Sequence, residues 1–181
     1  MRRFTPPSIK WAAATLLAAV PTVAAAAEPP CLAPAEFTSL AEYAMPSIIN
    51  GTAQRCSTTL APNAFLRSQG PQLVQRYAQA KPAAWPGAKA AFLKLSTTTN
   101  ADANKLISSM PDASLQQMLD SLMEGLVGQH VPLERCATID RVVGLLAPLP
   151  AQNTAELIAL AVGLGAKSGR AKIGAISICA A

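Results

Sequence analysis

Histidine is almost missing from this sequence, with His130 the single one in 181 residues. A metal site built on several imidazoles therefore cannot form within one chain. His130 itself lies in a Gly-Gln-His-Val-Pro turn, where an exposed loop residue is expected. Aromatic residues are scarce at 4%, and charged residues make up only 14%. No Cys-x-x-Cys pair occurs, which argues against zinc ribbons and thioredoxin-like redox centres. There is no Gly-x-Ser-x-Gly elbow, and no Ser-x-x-Lys after residue 27. Sustained period-two alternation with β-branched residues is also lacking, so no segment reads as a strand.

Two partial motifs fail on inspection. Asn100-x-Asp102-x-Asn104 resembles the opening of a calcium loop, but Lys105 stands where glycine makes the turn, and Pro111 where glutamate supplies two oxygens. Helix capping explains it better. Gly165-Ala-Lys167-Ser168 lacks both the adjacent Gly-Lys pair and the preceding strand of a phosphate loop. No cofactor and no metal ligand set is expected.

What is present begins with a leader. Arg2, Arg3 and Lys10 precede a short apolar run at 11–20, and Pro21 leads into the small residues at 23–27, the pattern of a cleaved signal peptide over 1–27. The expected mature unit is a single helical domain, 28–181. Three of the 15 basic residues belong to the leader, leaving 12 against 10 acidic ones, a net of +2. No basic stripe remains, so nucleic-acid binding is not expected, and no transmembrane segment is expected after the signal is removed. The reading is of an exported bacterial protein, periplasmic or extracellular.

All four cysteines lie beyond the leader, and an even number in an exported chain implies two disulfides. A continuous helix over 34–55 would hold Cys31 and Cys56 roughly 30 Å apart at 1.5 Å per residue, beyond the ~7 Å a disulfide tolerates. That disfavours Cys31–Cys56, and the preferred pairing is Cys56 with Cys136 and Cys31 with Cys179, the second tying the two chain ends together. A hairpin at Asn50-Gly51 would instead favour Cys31–Cys56 with Cys136–Cys179. Pro46 is expected to kink or split that helix.

Alanine-rich segments with apolar residues at helical spacing give an all-α fold, a compact bundle of about seven short helices. The cleanest stripe is Leu115, Met118, Leu119, Leu122, Met123, Leu126 and Val127, with Gln116, Gln117, Asp120 and Glu124 opposite, facing water. Residues 153–166 are apolar on every side, with Asn153 and Glu156 placed to cap the start. Such a helix is expected at the centre of the bundle, and Leu160→Asp is expected to abolish folding. Met110, Met118 and Met123 could suit copper(I), but the last two fall on the core stripe, where methionine fills gaps.

Three functions are compatible with these features. The first is a non-enzymatic envelope component, structural, stress-related or partner-binding, whose partner is an unknown envelope protein. The second is a carrier for a small apolar ligand held between helices. The third is a hydrolase using carboxylates such as Asp120 and Glu124, four residues apart on one helix face.

Overall fold

The computed structural model describes residues 31–97, 101–167 and Cys179. Among them are eight α-helices, one 3-10 turn and no strand: α1 (Pro34–Cys56), α2 (Phe65–Ser68), α3 (Gly70–Ala78), α4 (Lys81–Ser96), α5 (Ala101–Ser109), α6 (Asp112–His130), the 3-10 turn Leu133–Arg135, α7 (Cys136–Leu146) and α8 (Ala151–Lys167). The fold is all-α.

The helix at the centre is α1. Pro34 occupies its first turn, where its fixed φ suits a helix and its missing N–H is not needed. The Glu36 carboxylate accepts a 2.7 Å hydrogen bond from the Ala33 N–H, satisfying one free donor at the entry. The helix runs unbroken through Pro46. Five consecutive residues, Tyr43 to Ser47, are all buried. A helix touching neighbours on one side buries only every third or fourth residue, so α1 is covered all round at this level.

Four helices supply that cover: α3, α4, α6 and α8. α4 runs against α1, with Lys94 bound to Glu36 near its end and Lys81 over the Tyr43 ring at its start. α6 runs alongside α1 in the same direction. Ser47 donates to Asp120 at 3.0 Å, Asn50 to Glu124 at 2.9 Å, and Arg55 to the Val131 carbonyl at 3.2 Å. Gly51 marks the closest approach, because a Cβ there would sit 3.0 Å from the Glu124 carbonyl oxygen.

The expectation of a central helix at 153–166 is corrected. α8 begins at Ala151, so Asn153 lies inside its first turn and does not cap it. Ala151, Thr154 and Ala155 are buried, while Leu157 is 47% and Leu160 64% exposed. Small side chains let α8 lie close on α1, and that turns its largest leucines outward. An all-apolar helix here has an inner and an outer side all the same.

Both disulfides join the expected partners. Cys56–Cys136 has its Cα atoms 5.5 Å apart and Cys31–Cys179 4.9 Å. The Cys179 N–H also donates to the Leu32 carbonyl at 2.9 Å. Buried Tyr77 ties the α7–α8 turn to α3: its hydroxyl lies 3.1 Å from the Leu149 carbonyl and 3.0 Å from Thr154 Oγ1. No helix among the described residues is long and apolar enough to cross a membrane. The leader at 1–27, Asn100 and Ser168 lie outside the described residues.

Electrostatic strain sits at one place on α1. Burial pushes the Glu42 carboxyl above its ordinary range, and the charge of Glu156 on α8 adds to the shift. An acid whose folded pKa is raised binds protons more readily in the native state, so it opposes folding increasingly as pH rises through its unfolded value. Glu42→Gln should therefore stabilise the protein at pH 7 and change nothing at pH 3, a difference that urea unfolding at the two pH values would measure.

Candidate functional site

Asp120 and Glu124 do not face water together; both turn toward the interior seam. Asp120 accepts from Ser47 and forms an ion pair with Lys81, whose Nζ lies 2.6 and 2.5 Å from its two oxygens. Glu124 accepts from Asn50. The residues opposite the apolar stripe thus clamp α6 to α1 and α4. The sequence signal that could have shown this is the polar pair Ser47-x-x-Asn50 on α1, about one helical turn apart and so on one face, as the carboxylates four residues apart are on α6.

Tyr43 completes this seam. It packs at 5.1 Å from the Trp85 ring and carries Lys81 Nζ 4.3 Å from its own ring centre. Its hydroxyl is buried and has no hydrogen-bond partner among the described residues. Burial pushes its pKa well up, and the Asp120 charge pushes the same way. A buried unpaired hydroxyl costs about 1–3 kcal/mol in lost hydration. Tyr43→Phe should thus leave thermal stability unchanged or raise it by about 1 kcal/mol, where a drop would mean that the hydroxyl has a use.

The other candidates stand apart from one another. His130 is exposed at the end of α6, its Nδ1 2.8 Å from the Leu126 carbonyl oxygen. Met118 and Met123 pack partly buried against the cluster around Phe37, Leu40 and Leu119. Among the described residues, no three His, Cys, Asp or Glu side chains come together as a metal-binding group. The four cysteines are all engaged in the two disulfides.

Two surface features stand out among the described residues. One is a cleft of about 290 Å³ between α3 and α7, floored by Leu73 and Ala147 and bordered by Phe65 and Gly144. Gln69, Gln72, Arg76 and Pro148 complete its lining. Asp140 holds the neighbouring start of α2 by accepting from the Phe65 and Leu66 N–H groups at 3.2 and 2.7 Å.

The second is an apolar groove between α6 and α8. Both helices pack on α1 but have little direct contact with each other. Asp120 marks the flank of α6 nearest α4, so helical periodicity puts Leu122 and Leu126 on the opposite flank. Glu156 marks the flank of α8 nearest Glu42, which puts Leu157 and Ala161 on the opposite one. Ile48 lies on the strip of α1 between them. Ile48, Leu122, Leu126 and Leu157 are between 37% and 47% exposed, and Leu160, 64% exposed, points outward from α8 beside the groove. Periodicity marked Leu122 and Leu126 as core, but a stripe of seven apolar residues is wider than one contact line with α1 can cover.

No family model, curated protein or solved structure matches the chain.

Proposed function

We propose that the protein is an exported helical domain that works by holding a partner against the groove between α6 and α8. The observation that carries this reading is the run of large apolar side chains left open there, at Ile48, Leu122, Leu126 and Leu157. Contiguous exposed apolar surface is characteristic of interaction sites, and a groove between two helices suits the apolar face of a partner helix. Engagement of Asp120 and Glu124 within the seam supports a structural role for both. Export is supported by the two disulfides, which persist in oxidising compartments, and by the leader-like residues 1–27.

A photo-crosslinking amino acid placed singly at Leu122, Leu157 or Gln117 in the producing cell tests this reading. Gln117 is exposed on α6, away from the groove. A discrete adduct from Leu122 and Leu157 and none from Gln117 is expected. Equal labelling from all three positions, or none from any, would overturn the proposal.

A further inference from the structure

The structure assigns a second, separate site: we infer that the cleft between α3 and α7 binds a small carboxylate with an apolar body. Its floor is made of buried Leu73 and Ala147. One wall exists because residue 144 is glycine, since a Cβ there would lie 3.3 Å from the Phe65 Cγ. The ring can thus lie against α7, leaving the space in front of it open.

The charge in this cleft is one-sided. Arg76 is the only ionic residue that lines it among the described residues. Its guanidinium donates to the Ala147 carbonyl and stacks 5.5 Å from the Tyr77 ring centre. Among the described residues it has no carboxylate partner. It is therefore held in place by neutral groups, with its remaining N–H donors available to an anion. Guanidinium groups bind carboxylates through two parallel hydrogen bonds. The amides of Gln69 and Gln72 also lack partners among the described residues, and each can donate to a ligand oxygen.

Size narrows the class further. Ligand pockets run from ~300 to ~1,000 Å³, so a cleft of about 290 Å³ takes a ligand at the small end. A single ring or a short branched chain on the carboxylate matches the floor of Leu73, Ala147 and Phe65. The affinity expected of so small a ligand is on the order of 1 mM.

Phenylacetate, titrated into the ¹⁵N-labelled protein with its disulfides intact, tests the assignment. Saturable shifts at Gly144, Arg76 and the Gln72 side-chain amide are expected, with phenylacetamide, which lacks the charge, at least about tenfold weaker. Arg76→Gln should weaken phenylacetate about tenfold, and Arg76→Lys should recover part of the loss. Gln72→Trp, which fills the cleft from an exposed position, should abolish binding without altering the rest of the spectrum. No saturation in the unmodified protein would overturn the proposal. Equal binding of acid and amide, or undiminished binding to Arg76→Gln, would overturn it too.

Discussion

Replacing Cys56 and Cys136 together by alanine should cost about 4 kcal/mol of folding stability, read from the shift in the urea midpoint at constant slope. The bond closes a loop with a sequence separation of 80, and the chain-entropy relation for a loop of that size gives about 4.5 kcal/mol. The position makes the loss hard to recover elsewhere. Both cysteines are buried, and they join the end of α1 to the start of α7. α7 otherwise rests mainly on α2, a helix of four residues. With the bond gone, α7 and the cleft it borders should lose order first. Faster amide exchange at Gly144 than at Leu115 would show it. A loss below about 1 kcal/mol would mean that α7 is held by contacts stronger than those to α2.

Gly51→Val should be nearly as damaging. An added Cβ at residue 51 meets the Glu124 carbonyl oxygen at 3.0 Å and the Glu124 Cα at 3.1 Å. Both are backbone atoms that no side-chain rotation can move. α6 would have to retreat from α1, stretching the Ser47–Asp120 and Asn50–Glu124 hydrogen bonds along the same seam. Overpacking of this kind costs about 1–3 kcal/mol, occasionally more, and the lost seam bonds place Gly51→Val at or above about 3 kcal/mol. Gly51→Ala should be milder, because alanine regains roughly 0.5–1 kcal/mol of helix propensity. Chemical denaturation of the two variants side by side would give the order. Tolerance of valine would show that α6 is free to slide on α1.

How much of this was legible from the sequence depended on which interaction decided each feature. Helix positions were, because proline entries and apolar spacing are local signals. The disulfide pairing was legible in part, since a continuous helix puts Cys31 and Cys56 out of each other's reach but leaves two pairings open. The identity of the central helix was not. Glu36, Ser47, Asn50 and Thr52 make α1 look like a surface helix, yet each finds a hydrogen-bond partner that lets the helix lie inside. α8 looks like a core helix because hydropathy counts leucines without asking which side of the helix the neighbour approaches. Close contact selected its alanines and Thr154, and Leu157 and Leu160 were left outside.

The sites divide along the same line. Asp120 and Glu124 were visible as a pair, but their partners on α1 lie more than seventy residues away, and the Ser47-x-x-Asn50 spacing alone does not say which helix it faces. The α3–α7 cleft depends on Gly144, Phe65 and Arg76, three ordinary residues brought together by long-range contacts of α2 and α3 with α7 and its end, among them Phe65 and Leu66 to Asp140 and Arg76 to the Ala147 carbonyl. The apolar groove was hidden in plain sight, since its residues read as core until α6 and α8 were seen to stand apart.

The central claim is that the leucines of α8 form exposed surface and not the heart of the fold. Urea unfolding of Leu160→Asp tests it most directly. The account predicts a cooperative transition within about 0.5 kcal/mol of the unmodified protein, as for a substitution at an exposed position. Loss of cooperative unfolding would contradict it, and would return α8 to the centre of the bundle.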